Sequence, residues 1–70
     1  MDLRQQVGSN VRRIRRELGI SQEELAFRAE LHRTYISGVE RGIRNPTIIV
    51  LGRIADALDV APGDLLSAIK

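Results

Sequence analysis

The sequence contains no cysteine. That excludes disulfides, thiolate zinc sites and cysteine nucleophiles, and it suits a reducing cytoplasm. No apolar run approaches the ~18 residues of a membrane span and no signal-peptide pattern opens the chain, so a soluble, cytoplasmic protein is expected. No segment of any weight suggests a strand, and there are no repeats, linkers or low-complexity tracts. A single histidine and no clustered polar residues leave little for catalysis. Neither an enzyme nor a cofactor, metal or small-molecule ligand is expected. Seventy residues make one domain, residues 1–70. Its hydrophobic fraction of 43% is near the globular norm. Its core is small, because a chain of this size buries only ~60% of its unfolded surface.

What is present is helical periodicity. Leu3, Val7, Val11, Ile14 and Leu18 recur at the spacing of one buried stripe and predict a first helix over about Leu3–Leu18, stopped by Gly19. Ser21 and Glu24 form a capping-box pattern at the start of a second helix, with Ile20 and Leu25 flanking the cap as a hydrophobic staple. Leu25, Ala26 and Ala29 make its inner face, and Phe27 falls off that face. Glu30-Leu31-His32 is the turn, with Leu31 as its apolar plug. A third helix follows over about Arg33–Arg41, with Ile36 and Val39 inward and Gly42 ending it. Thr47 caps a fourth helix over about Ile48–Leu58, with Ile48, Leu51, Ala55 and Leu58 inward. Pro62 and Asp64 suit the first turn of a fifth, whose apolar side is Leu65, Leu66 and Ile69.

The second and third helices, within residues 21–41, have the helix-turn-helix spacing that fits a DNA major groove. Charge supports this placement. Up to Asn45 nine arginines face six acids, a balance of +3; from Pro46 onward two cations face three acids, a balance of −1. Arginine forks onto phosphate and guanine better than lysine does. The outward residues of the third helix are Arg33, Thr34, Ser37 and Gly38, the candidates for base contact. Gly38 in mid-helix costs about 1 kcal/mol against alanine, so its backbone must come close to a neighbour, either DNA or another helix. Tyr35 lies across the sugar-phosphate backbone or covers the helix edge. Gln22, at the open start of the second helix, and Arg44 and Asn45, in the loop after the third, are placed to grip phosphates. Glu40 stands at the unfavourable end of a helix dipole and needs a partner. Arg15, beside the buried stripe of the first helix, is the expected one.

The runs Ser21-Gln22-Glu23-Glu24-Leu25-Ala26, Arg33 through Gly42, and Arg44-Asn45-Pro46-Thr47, with Leu58-Asp59-Val60 and Leu65-Leu66, resemble the Cro/CI-type (XRE) helix-turn-helix regulators over nearly the whole chain. The Arg-Thr-Tyr-Ile-Ser-Gly run is most similar to restriction–modification controller proteins. The resemblance implies an all-α, five-helix, lambda-repressor-like domain that binds double-stranded operator DNA as a homodimer on a palindromic site. It also implies base contacts at Arg33, Thr34 and Ser37, backbone contacts at Gln22, Tyr35, Arg44 and Asn45, and the Arg15–Glu40 pair.

Three positions depart from the family pattern. Glu30 stands where the turn usually has Gly or Asn, so the turn is either strained or shaped differently. His32 is a poor cap for the third helix and is a candidate phosphate contact instead. Ile49 and Val50 stand where polar residues are usual. One helix cannot turn Ile48, Ile49, Val50 and Leu51 all toward one core. Ile49 and Val50 with Leu65, Leu66 and Ile69 are therefore the expected dimer interface. Glu23 and Glu24 are a weaker pointer to contact with RNA polymerase. The alternative is an antitoxin-type protein that binds a toxin through the apolar patch and regulates its own promoter.

Overall fold

A computed structural model describes residues 2–68. They form α1 (Leu3–Glu17), α2 (Gln22–Ala29), α3 (Arg33–Glu40), α4 (Ile48–Leu58) and α5 (Pro62–Leu66), with no strand among them. Leu18 and Arg41, expected as helical ends, are the C-caps of α1 and α3. The all-α helix-turn-helix class expected from periodicity is the class observed.

Local chemistry explains most of the boundaries. The Arg4 N–H donates to Asp2 Oδ1 at 3.0 Å, the Glu24 N–H to Ser21 Oγ at 2.9 Å and the Val50 N–H to Thr47 Oγ1 at 3.1 Å. Each satisfies a donor that the helix itself leaves open. Only half of the expected capping box at α2 forms. The Glu24 carboxylate accepts from Arg28 Nε at 2.8 Å, one turn on, instead of reaching back. At α5 it is the Asp64 carboxylate that accepts from the Ala61 N–H, at 3.1 Å. Gly19 and Gly42 take positive φ at the ends of α1 and α3, but so do Glu30 and Asp59 at the ends of α2 and α4. A side chain in that left-handed region costs roughly 1–2 kcal/mol.

The core draws Val7, Val11 and Ile14 from α1, Leu25 and Ala26 from α2, and Ile36 and Val39 from α3. Leu51, Ile54, Ala55 and Leu58 of α4 and Leu65 of α5 complete it. Three expectations need correction. The α1 stripe is shorter than its periodicity, because Leu3 and Leu18 lie at the helix ends, beyond the packed elements, and are exposed. On α4 the buried face is set by Leu51, Ile54, Ala55 and Leu58, so Ile48 in the first turn is left 86% exposed. Leu65 belongs to this core and not to an outer face: it is the one buried residue of α5, which packs on α1 and α4. Burying a leucine contributes about 1.5–3 kcal/mol, the main anchor for a five-residue helix.

Two features of α1 were not legible in the sequence. Buried Asn10 donates through Nδ2 to the carbonyls of Leu65 (2.9 Å) and Ser67 (2.8 Å), and Gln6 donates to the carbonyl of Leu66, so α1 holds the end of α5. Gly8 lets α1 cross the end of α3 with backbone against backbone. A Cβ there would sit 2.3 Å from the Val39 carbonyl oxygen and 2.8 Å from that of Glu40. Replacing a helical glycine with alanine ordinarily stabilises. Here Gly8→Ala is expected to destabilise by about 1–3 kcal/mol, because two helices must part. Thermal unfolding by circular dichroism should register this as a fall of about 4–8 °C per kcal/mol.

Candidate nucleic-acid interface

The turn between α2 and α3 is closed by its own backbone. The Leu31 N–H donates to the Ala26 carbonyl at 2.9 Å and the Glu30 N–H to that of Phe27 at 3.2 Å. Glu30 takes φ 58° and ψ 43° to allow it, so the departure from Gly or Asn is met by strain and not by a different turn. Leu31 packs half-buried on the core. Ile36 and Val39 anchor α3 from beneath, so Arg33 and Thr34 face solvent and Ser37 is half-buried at the edge of the same face. His32 precedes α3 without forming a side-chain cap, and is itself exposed.

The ion pairs single out this region. Among the described residues six arginines have an acidic partner within reach: Arg4, Arg12, Arg13, Arg15, Arg28 and Arg53. The remaining four are Arg16, Arg33, Arg41 and Arg44, and three of those four lie on α3 or directly after it. Arg41 was missed in the sequence. It stands seven residues after Thr34, two helical turns along the same outward line, and that spacing was the available signal.

Gly38 is not an outward, base-facing position. It is buried, and the neighbour it admits is Arg44 of the same chain: a Cβ at Gly38 would lie 2.6 Å from Arg44 Cγ and 3.2 Å from its Nε. The Arg44 guanidinium continues over the Tyr35 ring, 5.6 Å from its centroid. Such stacking at an exposed site contributes about 0.5–1 kcal/mol and fixes the cation beside α3. Tyr35 is half-buried against the core, and Asn45 is exposed at the rim of an apolar groove.

Glu40, on the C-terminal turn of α3, is 5% exposed and gathers three side chains from two other helices, Arg12 and Arg15 of α1 and Gln22 of α2. Arg15 Nε donates to its Oε2 at 2.6 Å and Arg15 Nη2 to its Oε1 at 3.0 Å, a two-pronged bond. Arg12 approaches to 3.6 Å. The Gln22 amide donates to Oε1 at 3.1 Å, so Glu40 orients this half-buried side chain, expected as a phosphate contact, at the start of α2. Arg15 also donates to the Ile20 carbonyl at 2.9 Å, just before α2. Burial pushes the Glu40 carboxyl up, but hydrogen bonds from Arg15 and Gln22, with the charges of Arg15 and Arg12, outweigh it and hold the group below its ordinary range. The bond to Glu40 in turn raises Arg15.

A second exposed surface lies away from α3. Ile48, Ile49 (74% exposed), Leu3 and Leu66 border two shallow apolar grooves that run along α4 past Pro46 and Pro62. Val50 is half-buried against the core and Leu65 is inside it, so of the described residues expected at a dimer interface only Ile49 and Leu66 are exposed. Ile69 lies outside the described residues. No helix is long and apolar enough to cross a membrane among the described residues.

A helix-turn-helix family profile matches residues 11–65. The chain belongs to the XRE-type helix-turn-helix family. It is 48% identical over 67 residues to the uncharacterized HTH-type transcriptional regulator y4dJ of Sinorhizobium fredii, covering 96% of this chain and 87% of that one. It is 52% identical over 60 residues to the control protein C.BamHI of Bacillus amyloliquefaciens, covering 84% and 74%. The crystal structure of the restriction–modification controller protein C.AhdI from Aeromonas hydrophila aligns with a TM-score of 0.86 at 42% identity, over 89% of this chain and 94% of that one. These family members are regulators and controller proteins, not enzymes.

Because its folded value is depressed, the Glu40 carboxylate contributes stability above the ordinary carboxylate range and loses it as the pH falls through the folded value. Melting temperature should therefore drop on acidification, and Glu40→Gln should remove part of that dependence. At neutral pH, Glu40→Ala is expected to cost about 3–5 kcal/mol, since it strands a buried guanidinium. An unchanged melting temperature would dismiss the pair as a structural element.

Proposed function

We propose that the protein is a sequence-specific transcriptional regulator that binds palindromic operator DNA as a homodimer, with α3 in the major groove. The observation that carries this is the gathering of Arg33, Arg41 and Arg44, all without acidic partners, on and beside a short exposed helix. Arginines elsewhere are mostly neutralised by the fold's own acids; these are available to phosphate and guanine. Arg33 and Thr34 take the base-reading role at the front of α3, with Ser37 behind them. Tyr35, His32, Arg44 and Asn45 take backbone contacts that set orientation. At the start of α2 the open N–H groups serve a phosphate together with the Gln22 amide, which its bond to Glu40 orients.

The exposed patch of Leu3, Ile48, Ile49 and Leu66 supports pairing of two copies. A two-fold dimer presents two α3 helices to half-sites ~10 base pairs apart, or a multiple of that. Likeness to controller proteins favours the same kind of role here, in a restriction–modification system. If polymerase is contacted through α2, Glu23 is the acid free to do it, since Glu24 is paired with Arg28.

Selection of bound sequences from a random DNA pool tests the reading. A palindrome with that half-site spacing is expected; failure to retard any duplex would end it. Arg33→Ala should flatten preference among sequences by about 1–3 kcal/mol at one position of each half-site, while Arg44→Ala should weaken all duplexes alike and reduce the salt slope by about 1. Ile49→Glu is expected to shift sedimentation toward monomer with little change in melting of the isolated subunit.

A further inference from the structure

The carbonyls of the last residue of α2 and of its C-cap are held by one side chain from another helix. Arg53, on α4, donates from Nε to the Ala29 carbonyl at 3.1 Å and from Nη2 to the Glu30 carbonyl at 2.7 Å. The same Nη2 lies 3.8 Å from the Glu30 carboxylate. A guanidinium suits this place, because the carbonyl end of a helix carries partial negative charge and exposes acceptors with no partner of their own.

The residue being gripped is the strained one. Glu30 sits in the left-handed region, where a residue with a side chain stays only if its surroundings hold it. Only Leu31 and His32 separate it from α3. The start of α3 has little definition of its own: no side-chain cap and no acid in its first turn. α3 packs mainly on α1 and α2, whereas α4 packs on α2 and α5. The Arg53 bridge therefore gives α4 a polar, directional hold on the front of α3, through the turn.

We propose that Arg53 is a positioning residue for DNA recognition: by clamping the carbonyls of Ala29 and Glu30, it sets the angle and height at which α3 presents Arg33 and Thr34. This rests on the DNA-binding reading above. Base-reading constellations need to be held within roughly 0.5 Å and 10–20°, so a loosened turn lowers discrimination before it lowers general attraction to DNA.

The test uses the whole chain, an operator duplex taken from the selection, and a random duplex of equal length. Anisotropy titrations at several salt concentrations compare wild type with Arg53→Met, Arg53→Gln and Arg53→Lys. Loss of positioning should weaken operator binding about tenfold, comparable to one mismatched base pair, and random-duplex binding much less. The salt slope should be unchanged, and Arg53→Lys should recover part of the loss. Glycine adopts the left-handed turn without strain, so in a Glu30→Gly background Arg53→Met should cost less.

If Arg53→Met does not fold, the operator-to-random ratios of Arg53→Gln and Arg53→Lys decide. A ratio equal to wild type in every folded variant overturns the proposal. Equal loss on both duplexes with a salt slope reduced by about one also overturns it, by making Arg53 a phosphate contact. A full cost of Arg53→Met in the Glu30→Gly background overturns the route through the turn. Wild type that does not distinguish the two duplexes defeats the DNA reading itself, a result that no Arg53 variant alone can produce.

Discussion

One buried carboxylate organises the segment that matters. Glu40 ends α3, Arg15 comes from the end of α1, and Gln22 opens α2, so a single anion fixes three helix termini to one another. Arg15 adds the Ile20 carbonyl, which sets the approach of the chain into α2. An unpaired charge in that position would be among the most costly groups in so small a core. With its partners in place, no buried side-chain nitrogen or oxygen among the described residues is left without a hydrogen bond. The apolar contacts beneath α3 supply attraction without direction; this cluster supplies direction.

Charge is divided in a corresponding way. Acids are spent inside the fold or along its helices, on Arg4, Arg12, Arg13, Arg15, Arg28 and Arg53. The arginines left uncompensated, Arg33, Arg41 and Arg44 with Arg16 apart from them, lie largely on α3 and the loop behind it. A modest formal charge of +2 therefore hides a concentrated field on one face, the quantity that counts for attraction to a polyanion.

Much of this was legible in the sequence because it follows local rules. Ser21, Thr47, Gly19 and Gly42 act within a turn of their own positions, and their roles were readable from spacing. Glu40 was legible for a related reason: a carboxylate at the wrong end of a dipole calls for a partner. What escaped reading depends on crossings between distant segments. Gly8 is glycine because the α3 carbonyls pass against it, and Gly38 because Arg44 folds back over it. Periodicity overcounted at helix ends, where Leu3, Leu18 and Ile48 keep the apolar rhythm after the packing partner has run out. It also could not say which of Leu65 and Leu66 faces in, since a five-residue helix offers too few turns to define a face. Arg53 left no local trace at all, because its partners are backbone atoms 23 and 24 residues away.

The attachment of α5 bears on the order in which the domain assembles. Its carbonyls are held by Asn10 across 55 residues of chain, whereas the bridge from Arg15 to Glu40 spans 25. Closing a longer loop costs more chain entropy before any contact rewards it. Seating α5 on α1 therefore carries the larger closure cost of the two, by less than about 1 kcal/mol. With a single buried side chain of its own, α5 keeps its place through what Asn10 of α1 offers to the carbonyls at its end.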